Sequence, residues 1–148
     1  MEYTISTKSV LHQFGIGKSY SGYDYILYGI ELISNDESYF HCINKVLYVD
    51  IASKYHTTNA CVERNIRKVI EVIWKDTAQN TSLITQIFGD RFVLERPSNK
   101  EFLQLLYEYV KLHTLIDKLL DTEKMICPIS KQVCIAYKEI VENLISLK

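Results

Sequence analysis

The chain has 148 residues, 47% of them apolar, which is enough for one domain with a real core, or for one domain and a small appendage. Two prolines and five glycines argue against disorder and against a turn-rich all-β fold. The net charge of −1 excludes a polycation, so support for nucleic-acid binding has to come from local charge asymmetry.

The first third of the chain repeats apolar residues at helical spacing between short polar breaks. Val10, Leu11 and Phe14 form one apolar face that ends at the glycines of residues 15–17. Asn35 and Asp36 interrupt the pattern again. The predicted helices here are the segment before Gly15, Tyr20–Ile33, Tyr39–Tyr48 and the short Asp50–Tyr55.

A polar turn, His56-Thr57-Thr58, follows and leads into a longer helix that runs to about Trp74. Thr58 or Asn59 is the expected N-cap, accepting hydrogen bonds from free backbone N–H groups. Apolar residues lie on one face at offsets 0, 4, 7, 8 and 11: Val62, Ile66, Val69, Ile70 and Ile73. The opposite face carries Arg64, Arg67, Lys68, Glu71 and Lys75.

The next segments show one amphipathic helix, one break and one helix start. The apolar face of the amphipathic helix consists of Leu83, Ile84, Ile87 and Phe88. Gly89 ends it. Arg91–Glu95 is predicted to be a brief extended piece. Ser98 and Glu101 match the S-x-x-E capping box, which predicts a helix beginning after Pro97.

The tail alternates apolar spacings of three and four residues, which suits helix-on-helix packing. The first run is Phe102, Leu105, Tyr109, Leu112, Ile116 and Leu119. After a break near residues 121–128, the second is Val133, Tyr137, Ile140, Leu144 and Leu147. The predicted fold class is therefore all-α: a bundle of about six helices containing a helix-turn-helix, plus a C-terminal helical extension. The expected domains are 1–112 and 113–148, and the extension folds back as a hairpin or forms a dimer contact.

The helix-turn-helix is also where positive charge concentrates. Lys45–Lys75 contains six basic and three acidic residues, a net charge of +3 that leaves −4 for the rest. Arg64 and Arg67 suit bidentate hydrogen bonds to guanine, and Glu63 can accept from cytosine or orient an arginine. Lys68 and Lys75 are better placed for phosphates. From periodicity alone, a solvated basic face on an ordinary amphipathic helix remains the commoner interpretation.

The sequence resembles the C-terminal DNA-binding effector domain of the stage-zero sporulation response regulator family of Firmicutes. The resemblance covers about residues 4–112 and is most specific at VERNIRKVIE, Val62–Glu71. It implies a helical bundle around a helix-turn-helix that binds repeated promoter elements and regulates transcription. By position, the implied recognition contacts are Glu63, Arg64, Arg67 and Lys68; Thr58, Asn59 and Lys75 complete the expected DNA-binding set.

This sequence departs from the family pattern at the start of the recognition helix. Ala60 and Cys61 stand where the family has serine and arginine, which removes polar contacts, and Lys68 stands where histidine is usual. The family's receiver domain is also expected to be missing. The alternative function is therefore an interaction module or antagonist that has lost specific DNA reading and acts through its tail.

No residue pattern indicates a catalytic site, a cofactor or a metal. The cysteines, Cys42, Cys61, Cys127 and Cys134, lack zinc-ligand spacing. No apolar run reaches membrane-spanning length, so a cytoplasmic, nucleoid-associated location is expected. The expected partners are double-stranded promoter DNA, a second copy bound through the C-terminal helices, and RNA polymerase or a full-length relative.

Overall fold

The computed structural model describes residues 2–120, together with Asn143 and Ser146. Residues 2–120 contain seven α-helices and no β-strand, so the predicted all-α bundle is confirmed. The helices are α1 (Glu2–Gln13), α2 (Ser21–Asn35), α3 (Tyr48–Lys54), α4 (Asn59–Lys75), α5 (Thr77–Phe88), α6 (Arg91–Leu94) and α7 (Asn99–Leu120). Within this part of the chain, no helix combines the length and apolar character needed to cross a bilayer.

The core is built around α2 and α4, which cross at a glycine. Gly22 lies so close to α4 that a Cβ atom there would stand 2.7 Å from Cγ2 of Val69 and still nearer the carbonyl oxygen of Asn65. Any side chain at position 22 would therefore collide with the backbone of α4 unless the helix moved. This close approach fixes how deeply α4 sits in the bundle.

Residues 37–47 do not form the single α-helix predicted for Tyr39–Tyr48. They form a 3₁₀ helix, Glu37–His41, and then a π-helical turn, Ile43–Leu47. The Asp36 side chain accepts a hydrogen bond from the Ser38 backbone N–H at 2.9 Å, which favours a tight first turn. The wider π turn then allows Ile43 and Leu47 to be buried together. Apolar spacing alone cannot distinguish these two turn types from an α-helix.

The extended piece predicted for Arg91–Glu95 is also wrong, because Arg91–Leu94 forms the short helix α6. The Glu95 backbone N–H donates to the Arg91 carbonyl at 3.3 Å, which closes a helical turn. Phe92 is buried in the core and its carbonyl accepts a 2.6 Å hydrogen bond from Trp74 Nε1. A single turn held by these tertiary contacts is too short to show helical periodicity in the sequence.

The start of α7 confirms the predicted capping box. Glu101 Oε2 accepts from the Ser98 backbone N–H at 2.9 Å, and Ser98 Oγ accepts from the Glu101 N–H at 3.2 Å. Hydrogen bonds from Ser98 to its carboxylate also lower the pKa of Glu101. The cap therefore combines a reciprocal hydrogen-bond pair with a negative charge at the helix start.

The buried face of α7 differs from the predicted spacing. Its fully covered residues up to Val110 are Phe102, Leu103, Leu106, Tyr107 and Val110. Leu105 and Tyr109 are only partly buried, because a helix on a broad core uses a wider stripe than a coiled coil does. The chain divides into compact units at Val110, the second being Lys111–Lys148. The second predicted apolar run, Val133–Leu147, lies outside the described residues.

Candidate nucleic-acid interface

A tight turn joins α3 to α4 and uses a left-handed residue. His56 has φ of +52°, and the Thr57 N–H donates to the Ala52 carbonyl at 2.9 Å. The His56 N–H donates to the Ser53 carbonyl at 3.4 Å. These two bonds are those of a Schellman motif, which ends α3 and turns the chain sharply into α4.

Replacing His56 with glycine is expected to stabilise the protein by about 0.5–1 kcal/mol. A left-handed L-residue costs about 1–2 kcal/mol, and the greater freedom of glycine in the unfolded chain offsets part of that gain. Thermal unfolding should then show a midpoint about 1–4 °C higher. His56→Ala is the control, and an equal increase in that variant would show that the backbone angle is not the cause.

Thr58 caps α4, so it is the N-cap of the two residues predicted for that position. Its hydroxyl oxygen accepts from the Cys61 backbone N–H at 3.2 Å, so Thr58 is the N-cap and Asn59 the first helical residue. Both side chains are exposed. Thr58 and Asn59 therefore lie at the tip of the motif, in front of the basic residues of α4.

The two predicted faces of α4 are present. Every residue predicted for the apolar face is buried: Val62, Ile66, Val69, Ile70 and Ile73. Every residue predicted for the opposite face is exposed: Arg64, Arg67, Lys68, Glu71 and Lys75. At 100° per residue, Arg64, Lys68 and Lys75 follow one line along the helix, and Arg67 lies about 60° to one side. Lys75 is about 16 Å beyond Arg64 along the axis, so those two cannot contact the same bases.

Ion pairing differs along the exposed face. Arg67 Nη2 is paired with Glu63 Oε1, and the two side chains are 53% and 42% exposed. Such an exposed pair contributes only about 0.3–0.5 kcal/mol. It therefore orients the Arg67 side chain but leaves it able to exchange Glu63 for another partner. Among the described residues, no carboxylate is within ion-pairing distance of Arg64 or Lys68. Their charges are thus available to a ligand at the centre of the face.

Cys61, at the start of α4, belongs to a small polar cluster. A hydrogen bond with the Thr57 hydroxyl, assisted by the charge of Arg64, lowers the pKa of the Cys61 thiol. Asn65 Nδ2 donates to the Cys61 carbonyl at 2.8 Å and contacts its sulfur at 3.2 Å. The cysteine therefore has polar partners at the helix start, although it offers fewer hydrogen bonds than an arginine.

Asn99 holds α4 in place and was not identified from the sequence. Its Nδ2 donates to the Tyr48 hydroxyl oxygen at 3.1 Å and to the Glu63 carbonyl at 3.0 Å. One amide therefore ties the start of α7 to both helices of the motif. The signal available was its position inside the capping box, but long-range partners 51 and 36 residues away leave no local pattern.

Replacing Asn99 with alanine should cost about 1–2 kcal/mol, because it leaves the buried Tyr48 hydroxyl without this partner. The expected result is a thermal midpoint about 2–8 °C lower. The neighbouring Lys100→Ala is the control, since its exposed side chain should change stability by less than about 0.5 kcal/mol. Equal midpoints for the two variants would contradict the assigned role of the amide.

The opposite end of α4 is anchored by aromatic packing. The Trp74 ring lies 5.1 Å from the Phe88 centroid and 6.3 Å from that of Phe102, and Phe88 stacks on Phe102 at 5.2 Å. With the indole hydrogen bond to Phe92, these contacts fix the end of the helix. In the described part of the chain, no group of three or more His, Cys, Asp and Glu side chains is arranged to hold a metal ion.

A short first helix, a sharp turn and a second helix with a basic outward face, set in a helical bundle, define a helix-turn-helix protein. The family model described as "Sporulation initiation factor Spo0A C terminal" matches residues 7–110. The chain belongs to this family. Its members are the DNA-binding domains of sporulation regulators, which act in transcription. The match ends at the residue where the first compact unit ends.

Proposed function

We propose that this protein is a sequence-specific double-stranded-DNA-binding regulator of transcription that reads promoter elements with α4. The observation that carries the proposal is the exposed basic face of α4, held in a motif whose start is capped and whose other face is buried. Family membership supports a role on DNA. Membership in a family of DNA-binding domains disfavours a merely solvated face.

In this proposal the side chains divide between bases and phosphates. Arg64 and Arg67 each donate two hydrogen bonds to a guanine, worth about 1–3 kcal/mol of discrimination per base. Glu63 accepts from a cytosine when its arginine partner turns to the groove. Lys68 and Lys75 contact phosphates, which add salt-dependent affinity but no sequence information. Thr58 and Asn59, at the exposed tip, approach the backbone where α4 enters the groove.

A titration at two salt concentrations tests the proposal. The probes are a duplex carrying tandem copies of the family's promoter element and a scrambled duplex of equal length and composition. Promoter reading predicts at least about a thousandfold preference for the element, which is the lower range for specific DNA-binding proteins. Weak, equal and salt-sensitive binding to both duplexes would rule it out and favour an interaction module.

The second part of α7 supports a further proposal, a homodimer. Leu112 and Leu115 are 49% and 48% exposed and lie three residues apart, so they share one face of the helix. Exposed leucines at this spacing suit the matching face of a second copy, in keeping with the predicted dimer contact. RNA polymerase or a full-length relative on the same face is the alternative occupant.

The double substitution Leu112→Glu/Leu115→Glu is expected to convert a dimer into a monomer, since it puts four carboxylates into the contact. Sedimentation velocity on the full chain measures the change in mass. Leu94→Glu is the matched control, because Leu94 is 95% exposed but lies in the first compact unit. If the unsubstituted protein sediments as a monomer at all concentrations, the homodimer is excluded.

A further inference from the structure

A groove of about 530 Å³ runs beside α4, on the flank that carries Arg67. The π-helical turn and the start of α7 form its other walls, and Tyr48 lines it between them. Its lining includes Asn44, Tyr48, Glu63, Arg67 and Lys100. On the opposite flank of α4, the helix crosses α2 at Gly22.

The groove continues past the π-helical turn. A second depression of about 380 Å³ shares Asn44 and Lys100 with the first and adds Lys45 and His41. Lys45, Asn44 and Lys100 are all exposed. Together the two depressions form one surface, which we call the flanking groove, extending from Arg67 to Lys45. None of these contacts was evident in sequence, because Lys45 and Lys100 are 55 positions apart.

The acidic residues around the flanking groove are already engaged. Glu63 pairs with Arg67, Glu101 binds Ser98 and lies 3.9 Å from Arg91, and Glu95 also pairs with Arg91. Arg96 is held by Glu71 at 3.3 Å. In contrast, no described carboxylate lies within ion-pairing distance of Lys45 or Lys100. The groove therefore offers two ammonium groups and the Asn44 amide to an external acceptor.

We infer that Lys45 and Lys100, assisted by Asn44, bind backbone phosphates of the DNA strand that passes beside α4. The inference rests on the proposed function, which puts α4 in the major groove. The DNA major groove is about 12 Å wide, and a phosphate backbone borders it on each side of an inserted helix. A strand on the Arg67 side would run along the flanking groove, where ammonium and amide donors match successive phosphate oxygens.

A polyanion fits this surface better than a single small anion. The two lysines stand on different elements, the π-helical turn and α7, and both line the smaller depression, whereas the paired carboxylates of Glu63 and Glu101 line only the larger one. A single small anion would occupy only one of the two depressions, whereas a DNA strand can follow both and place successive phosphates at the exposed rim. Each lysine ammonium thus acts as a point charge that attracts a phosphate, and such a contact confers no base specificity.

The double substitution Lys45→Gln/Lys100→Gln in the full chain tests the inference through salt dependence. Each phosphate contact contributes about −0.9 to the slope of log affinity against log salt, so the slope should become less negative by about 1.8. A fourfold rise in salt should then weaken the double variant about tenfold less than the unsubstituted protein. The ratio of affinities for the promoter element and the scrambled duplex should be unchanged, because phosphates carry no sequence information.

Two further variants make the result specific. Lys8→Gln removes one positive charge from α1, away from the flanking groove, and should leave the slope as it is. Lys45→Arg/Lys100→Arg keeps both charges and should restore the slope. Circular dichroism of each variant shows whether it is folded, and exposed sites of this kind tolerate glutamine.

An unchanged slope in the double glutamine variant would overturn the inference, as would an equal change in Lys8→Gln. This outcome is distinct from failure of the proposed function. If the unsubstituted protein shows no preference for the promoter element, promoter reading fails, yet the slope on either duplex still reports whether these lysines meet phosphates. If the double glutamine variant changed the ratio of affinities for the two duplexes but not the salt slope, the lysines would contact bases. That result would also contradict the inference.

Discussion

Gly22→Ala is expected to lower the stability of the protein by about 3 kcal/mol or more. The added methyl group meets the main chain of α4 at Asn65 and the Val69 side chain, and neither can move without displacing the helix. Overpacking of this kind costs about 1–3 kcal/mol where side chains can adjust, and more against a backbone. For a chain of this size, thermal unfolding should show a midpoint about 6–12 °C lower.

The sign of the stability change distinguishes the close helix crossing from helix propensity. In an exposed helix, alanine is about 1 kcal/mol more favourable than glycine, so propensity alone predicts stabilisation. Gly29→Ala is the matched control on the same helix, because its added Cβ would meet only Ile51 Cδ1, at 3.3 Å. That methyl group ends a side chain that can rotate, and the variant should be nearly neutral. A midpoint for Gly22→Ala at or above that of Gly29→Ala would contradict the close crossing.

The same contact links stability to the proposed DNA surface. Because Gly22 sets the depth of α4, a variant that folds with α4 pushed outward would also displace Arg64 and Arg67 relative to the flanking groove. We therefore expect Gly22→Ala to weaken binding to the promoter element even below its unfolding temperature. Amide hydrogen exchange at α2 and α4 would locate the change at the crossing.

The helices with strong apolar periodicity could be predicted from the sequence. The predicted faces of α4, the stop of α5 at Gly89 and the capping box of α7 all depend on local pattern and are confirmed. The failures lie where tertiary contacts decide the backbone. The π-helical turn forms because Ile43 and Leu47 are both buried in the core. Helix α6 forms because the Phe92 side chain is buried and its carbonyl accepts a hydrogen bond from Trp74. Neither contact is visible in a window of a few residues.

The candidate site divides in the same way. The exposed residues of α4 could be named from periodicity, and Thr58 from the chemistry of helix starts. The residues that position α4 could not. No sequence pattern marks Gly22 as the place of a close helix crossing, and Asn99 makes its contacts across long sequence separations. The residues that form the exposed face of α4 follow local rules, whereas the residues that orient this face depend on how distant segments meet.

Replacing both Arg64 and Arg67 with alanine is expected to lower the preference for the promoter element over the scrambled duplex by at least about thirtyfold. Each bidentate arginine–guanine contact is worth about 1–3 kcal/mol, so the pair accounts for a preference between about thirtyfold and ten-thousandfold. Both side chains are exposed, so the fold should be unaffected. Fluorescence anisotropy on the element and on the scrambled duplex measures the ratio of the two dissociation constants.

The single variants Arg64→Ala and Arg67→Ala measure how much each arginine contributes to the preference. Arg64 has no carboxylate partner among the described residues, so Arg64→Ala should lose the full value of its contact. Arg67 must first leave Glu63, at a cost of about 0.3–0.5 kcal/mol, so Arg67→Ala should lose slightly less. Arg91→Ala is the control, because Arg91 is also exposed but lies on α6, where it pairs with Glu95. If the double variant keeps the preference while Arg91→Ala loses it, α4 is not the element that reads the bases.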